Sequence, residues 1–450
     1  MKSRIVTCMT TMALLFAALA LPLRLAGQKP SQHYRAINLG NLSGTASEGN
    51  TINNVGWAIG AADLAGNTAE HATVWVYGLR FDLGTLGGPN SDVQWPNKND
   101  HGQIAGFSET AELNPLNESW SCTAFIPTLA TGHDCVGFVW QFGAMTALPT
   151  LGGFNGFAAG ENNLGQIVGW AETTVPDATC LAPPVGTQVL QFLPVVYGPG
   201  RGQIQQLPTF VTNGIPDPDG AATAINDNGQ IVGISGTCDV AVGAFTAMHA
   251  LLWQNGTITN LGSLGGQGWN TPMAINKRGD IVGFSDLAGD VSGGTLNANF
   301  HAFIWTKESG KMTDIGVLPG DNISEALDIN DQGQVVGVSF PSGHAFIYEN
   351  NKIRDLNSLL PKDSPLLLLF AGGINDRGEI TGEACVIANG ACTTDQPAFL
   401  AIPDGDFGAD TWAEDANNET ARITVPDSVH QKVMRKLAFG HFESEPARSP

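Results

Sequence analysis

The residues best suited to chemistry in this chain are four histidines at matching places, His71, His249, His301 and His344, and a scatter of carboxylates. Catalysis or metal binding would require such groups to converge. Three of the histidines open similar apolar segments, "HALLW" (His249 to Trp253), "HAFIW" (His301 to Trp305) and "HAFIY" (His344 to Tyr348). A repeat in a ring spreads its members between units, so all four read as satisfied histidines near a sheet edge. Carboxylates cluster in "DPDG" (Asp217 to Gly220) and "DLAGD" (Asp286 to Asp290), the oxygen-rich kind of stretch that suits calcium. Neither has EF-hand spacing, so solvated loops are expected; no cofactor is implied, and calcium is the one metal these loops suit. No G-x-S-x-G, H-E-x-x-H, Walker loop or dinucleotide fingerprint occurs.

The elements that must position these groups follow from an internal repeat. Asn-x-x-Gly-x-x-x-Gly occurs seven times, starting at Asn53, Asn99, Asn162, Asn226, Asn276, Asn330 and Asn375. Steps between the middle glycines, Gly56 to Gly378, are 46, 63, 64, 50, 54 and 45 residues, which is propeller-blade length with insertions. In "AINDNGQIVG" (Ala224 to Gly233), Asn226 can bond backbone two residues on and Gly229 can take positive φ, giving a tight hairpin. The last glycine of each copy, such as Gly233 or Gly283, falls within the second strand and predicts close approach of an adjacent sheet. An apolar third strand and a short fourth ("TITNLG", "KMTDIG") complete a four-stranded meander, a-b-c-d.

The chain is therefore read as all-β, a seven-bladed β-propeller. "YRAINLG" (Tyr34 to Gly40) resembles strand d, while the seventh unit stops at strand c, "PAFLAIP" (Pro397 to Pro403), so the N-terminal strand is expected to close the last blade. Closure removes the exposed edges that an open array would leave. Residues 1–27 have the basic start and short apolar run of a secretory signal peptide. The propeller is placed at 28–403 and a polar, mobile tail at 404–450, with one short helix after Asp427 bearing Val429, Val433, Met434 and Leu437. Cys8 falls in the signal; the other six cysteines suit an oxidising compartment, and the pairs chosen are Cys122 with Cys135, Cys385 with Cys392, and Cys180 with Cys238. The formal charge of −21 argues against nucleic acid and anionic membranes as partners, and no span is expected once the signal is gone.

"LGTLGG" (Leu83 to Gly88), "LGSLGG" (Leu261 to Gly266), the Ile-Asn-x-x-Gly hairpin and His-Ala-Phe-x-Trp together resemble the HAF repeat family of probable bacterial extracellular proteins, over roughly 34–402. Blades two, three and seven depart from it with "VGFVW" (Val136), "LPVVY" (Leu193) and "PAFLA" (Pro397). The resemblance implies export and repeat architecture and carries no activity.

In a meander the b-c and d-a loops share one end of the ring. The variable loops are all of these kinds, so a site is expected there. The acidic candidates are Glu109, Glu112, Glu118, Glu172, Asp177, Asp239, Asp286 and Asp290 on b-c loops. Trp95, Phe154, Phe157 and Trp269 on d-a loops are the candidate ligand-binding residues, able either to stack on sugars or to plug the axis. The leading expectation is a secreted binding module whose extracellular ligand is a glycan or a basic protein. The alternative is a polysaccharide hydrolase or lyase using loop carboxylates, and a cell-surface structural repeat is a third reading.

Overall fold

Each Asn-x-x-Gly copy forms a tight turn between two strands, and in the computed structural model the chain builds a seven-bladed β-propeller around them. The structure describes residues 33–94, 96–118, 125–126, 131–180, 188–198, 202–238, 244–289, 299–404 and residues 423, 425, 426 and 429. Blade four shows the plan, with strands Asp219–Ile225, Ile231–Gly236, His249–Gln254 and Thr257–Asn260 paired in chain order. Blades one, two, three, five and six occupy 47–82, 87–147, 156–206, 265–316 and 323–355. The seventh combines Leu366–Ile374, Ile380–Ala388 and Ala398–Asp404 with the N-terminal strand His33–Asn38, which lies beside Ala398–Asp404. The ring thus closes as the chain ends predict.

The hairpin asparagine acts in two directions. In blade four Asn226 Oδ1 accepts the backbone N–H groups of Asn228 (3.0 Å) and Gln230 (3.1 Å), while Gly229 takes φ 71°. Its Nδ2 donates to the carbonyl of Asn276, the matching asparagine of blade five, at 2.9 Å. The same donation passes from Asn276 to Asn330, Asn375, Asn53, Asn99, Asn162 and back to Asn226, at 3.0 to 3.2 Å. Seven side chains thereby link all seven blades at the tight-turn pole. Aspartate could supply the acceptor but not the donor, which explains why each copy carries asparagine.

The second-strand glycines have a different cause from the one the sequence suggests. A Cβ on Gly283 would strike the carbonyl oxygen of Thr271, in the first strand of its own blade. Gly60, Gly106, Gly169, Gly233, Gly337 and Gly382 meet the corresponding carbonyls of Glu48, Asp92, Phe157, Ala221, Glu325 and Phe370. The close neighbour is thus the partner strand and not an adjacent sheet. In blades four, five and six the contact falls just before a register shift in the first strand, a bulge that turns backbone toward the second strand. Gly283→Ala is expected to cost about 1 to 3 kcal/mol, because backbone cannot retreat as a side chain would. An unchanged urea midpoint would contradict this origin.

At the same pole Lys98 reaches across the axis. Its ammonium lies 2.5 Å from Asp328 Oδ2 in blade six and 2.8 Å from the carbonyl of Ile374 in blade seven. Asp328 is fully buried and also accepts the N–H groups of Ile329 and Ile374, both at 2.8 Å. Lys98→Met leaves that carboxylate without its counter-ion. Because Lys98 keeps 28% of its side chain in water, the loss expected is about 2 kcal/mol, below that for a wholly buried pair. Guanidinium unfolding of Lys98→Met beside Lys98→Met/Asp328→Asn measures it, and the double variant should recover most of the loss.

The other end of the axis is filled. Phe157, Phe107, Ala221, Trp269, Leu327 and Phe370, from six blades, share one cluster. Val429, helical and 4% exposed, belongs to it, with Ile423 and Val425 packed against it. These apolar residues of the otherwise polar tail are drawn out of water. Cys180 bonds Cys238 and Cys385 bonds Cys392, with Cα separations of 4.6 and 5.5 Å, as the sequence suggests. Cys135 is also disulfide-bonded, while its expected partner Cys122 and the signal segment lie outside the described residues. Among the described residues no helix is long and apolar enough to cross a membrane.

Candidate functional site

Each histidine of the repeat has an aspartate partner within its own locality. His71 Nδ1 lies 2.9 Å from Asp82, and His301 and His344 lie 2.8 Å from Asp314 and Asp355, each pair joining the third strand of a blade to the fourth. Blade four has Asn260 at its fourth-strand position, and His249 turns instead to Asp217, at 2.8 Å, just after a small ladder of Val211–Thr212 with Ile215–Pro216. Burial alone would raise Asp82 and Asp314, but the histidine and the N–H groups of Gly84 and Gly316 outweigh it and hold both carboxyls below their usual range. Burial would lower His344; Asp355 outweighs it and raises the imidazole. These pairs are spread over four blades, as a structural role requires.

The loop-rich pole divides the aromatic candidates. Phe157 is fully buried, stacked between Trp170 at 4.0 Å and Phe107 at 4.4 Å. Trp269 is fully buried too, with its ring edge-on to Phe284 at 5.0 Å and Phe300 at 5.2 Å. Neither ring offers a face to a ligand; both belong to the axial plug. Phe154 is 37% exposed, and Trp95 lies outside the described residues. Two of the four expected ligand-binding rings, Phe157 and Trp269, are therefore interior, because aromatic rings next to an apolar axis gain more from burial than from exposure.

Among the described residues four of the acidic candidates, Glu109, Glu118, Glu172 and Asp286, are interior, and Asp177 is half-buried. Glu109, Glu172 and Asp286 lie within extended second strands, Gln103–Leu113, Ile167–Pro176 and Ile281–Leu287, and all are fully buried. Glu172 Oε2 accepts the N–H groups of Phe154 (3.0 Å) and Asn155 (2.8 Å), and its Oε1 accepts Asn155 Nδ2 (2.9 Å) and Gln188 Nε2 (3.0 Å). Asp286 Oδ2 holds the N–H groups of Gly268 (3.1 Å) and Trp269 (2.9 Å). Glu109 receives Asn90 Nδ2 (2.7 Å) and the Thr131 N–H (3.0 Å). These carboxylates fasten loop backbone, which is why the strand ends carry acids. In "DPDG", Asp217 is committed to His249 and Ser235, and Asp219 accepts the Phe192 N–H at 3.0 Å. Glu112 is exposed, and Asp239 and Asp290 lie outside the described residues.

One carboxylate group escaped sequence reasoning. Glu48, Glu70 and Asp92, all buried, bring their oxygens within 4.8 Å of one another and are the group able to hold a metal ion among the described residues. Amide donors already serve them: Asn50 and Gln94 each donate to Glu48 at 3.0 Å. Glu48 stands five residues before Asn53, a register position shared with Glu325 before Asn330, and that coincidence was readable.

The geometry defines a closed seven-bladed propeller with a plugged axis and a loop-bearing pole. No family description matches the sequence, and no curated protein matches it. Among solved structures it is similar to acylaminoacyl peptidase from Pyrococcus horikoshii, at 10% identity and TM-score 0.41 over 79% of this chain and 49% of that one. The extracellular domain of a hybrid two-component system from B. thetaiotaomicron gives 10% and 0.42, over 82% and 39%. A gluconolactonase from Xanthomonas campestris gives 8% and 0.29, over 60% and 79%. This chain spans less than two thirds of the first two.

Proposed function

We propose that this protein is an extracellular HAF-type repeat protein acting as a binding module, with the loop-bearing pole as its contact surface and a basic protein as its ligand. The observation that carries the reading is the commitment of Glu109, Glu172 and Asp286 to loop backbone and amide donors at full burial. They make the pole a fixed platform and take these three carboxylates out of the accessible pair that a glycosidase needs. A formal charge of −21 favours a cationic partner through long-range attraction. A glycan is the weaker choice, since two of the stacking rings it would use are interior.

A thermal-shift screen with a lysine-rich peptide, neutral oligosaccharides and calcium tests this. Stabilisation by the peptide, weakened by salt and accompanied by amide protection at 108–118 and 172–180, supports the reading. Stabilisation by oligosaccharide alone, or release of reducing ends from a polysaccharide, would replace it with the glycan-binding or hydrolytic alternative.

A further inference from the structure

The outer strand of blade one, Leu79–Asp82, reverses the pattern of the other outer strands. Pairing with the third strand matches Phe81 to Thr146, Gln205, Thr259, Thr313 and Arg354 of blades two to six. It matches Arg80 to Met145, Ile204, Ile258, Met312 and Ile353. Blade one thus leaves apolar side chains in water where the others have polar ones, with Leu79 64% and Phe81 48% exposed, and carries a charge where they have an apolar residue. Tyr77, in the turn before this strand, is 87% exposed and holds φ 51°, a conformation that suits Asn255 of blade four and strains a bulky residue. Basic residues on an edge strand, such as Lys352 and Arg354 of blade six, deter pairing with another chain. At the matching positions blade one has Leu79 and Phe81 instead.

The backbone of this edge is open as well. The Leu83 N–H donates to the Ala72 carbonyl at 2.9 Å. By the alternation of an antiparallel ladder, Leu79 and Phe81 then direct their N–H and C=O groups to the third strand, and Arg80 and Asp82 direct theirs outward. An added strand must bond to those outward groups. For a second copy of the same strand, a two-fold axis centred on residue 80 sets Arg80 against Arg80, and one centred on residue 82 sets Asp82 against Asp82. Like charges then face each other. Centring the axis on Phe81 sets Arg80 of each copy against Asp82 of the other, with backbone hydrogen bonds at both pairs and Phe81 packed on its own counterpart between them. Arg80 makes no ion pair among the described residues, and Asp82 stays 40% exposed beside His71. We propose that two copies of this chain pair edge to edge through the outer strand of blade one, on a two-fold axis at Phe81, joining two blades into one continuous sheet.

Charge complementarity selects a second copy over an unrelated strand. A foreign strand would need an acid and a base facing outward in the reverse order, and this strand read antiparallel to itself supplies them. Each copy carries a formal charge of −21, which opposes approach, and this edge is a place where the facing charges are opposite. The contact is short, so the pair belongs to the weak, concentration-dependent class of association. It uses an outer strand and none of the loops at the loop-bearing pole.

Sedimentation equilibrium of the full chain, taken up to about 300 μM because the contact is small, measures the pairing. Wild type should pass from single chains to pairs as concentration rises. Phe81→Lys and Phe81→Glu each set like charges at the centre, and each alone should pair about tenfold more weakly or worse. Mixed in equal amounts they set lysine against glutamate and should pair again, which a folding defect could not imitate. Should the Phe81 variants not fold, Arg80→Asp sets acid against Asp82 of the second copy and should likewise stay single. A wild type that stays single throughout, variants that pair as strongly as wild type, or a mixture that stays single would each overturn the proposal. No ligand enters the measurement, so the pairing and the binding reading can fail separately.

Discussion

Trp269→Ala should lower the stability of the propeller by about 3 to 5 kcal/mol, the cost of emptying a buried tryptophan site that cannot collapse. The ring is fully buried and edge-on to Phe284 and Phe300, and its backbone N–H is held by Asp286. The rings it touches come from two other strands of blade five, Ile281–Leu287 and Phe300–Trp305. Chemical denaturation measures the loss, and calorimetry with any ligand found by the screen supplies the contrast. Were Trp269 a stacking platform, the variant would keep its unfolding midpoint and lose affinity. The packing predicts the reverse ranking, with affinity unaltered at temperatures where the variant stays folded.

Much of this architecture could be read from one short pattern. The Asn-x-x-Gly copies gave seven hairpins because asparagine and glycine act within four residues, a distance sequence can see. Closure was legible too, since an extra fourth strand at 34–40 and a missing one after 403 are complementary. What escaped was the second use of the same residues. Asn375 Nδ2 meets the Asn53 carbonyl across 322 positions, and only the closed ring makes them neighbours. The glycines were misread for a related reason: a glycine says that something is close, not what, and in every blade it is the carbonyl of the partner strand.

The site was less legible than the fold. Glu109, Glu172 and Asp286 look like loop acids because the apolar alternation fades before them, yet the ladders run on to Leu113, Pro176 and Leu287. Acid type alone does not distinguish a residue facing water from one collecting loop N–H groups. Lys98 and Asp328, 230 positions apart, gave no local sign that they would pair.

Glu325 yields the other large effect. It lies between Ile323 and Leu327, both in the axial cluster, is fully buried, and neither oxygen has a hydrogen-bond partner among the described residues. Its register mate Glu48 receives Asn50 and Gln94, whereas burial alone pushes Glu325 up to about 8. Below the ordinary value of 4.5 the folded and unfolded chains both hold this proton, so the group adds no pH dependence. Between 4.5 and about 8 only the folded chain keeps it, so stability falls by roughly 1.4 kcal/mol per pH unit from this group. Glu172 and Asp219 slope the same way. Asp82 and Asp314, held low, oppose it only in stronger acid, where their stabilisation is lost as pH falls through their depressed values. Glu325→Gln removes one ionisation without changing shape. Its stability should be close to wild type at pH 5 and higher by roughly 3 to 5 kcal/mol at pH 9, the difference of the two proton affinities. Urea unfolding across that range decides it: parallel stability curves for the two proteins would mean that Glu325 gives up its proton without penalty, and that the axial cluster admits water at blade six.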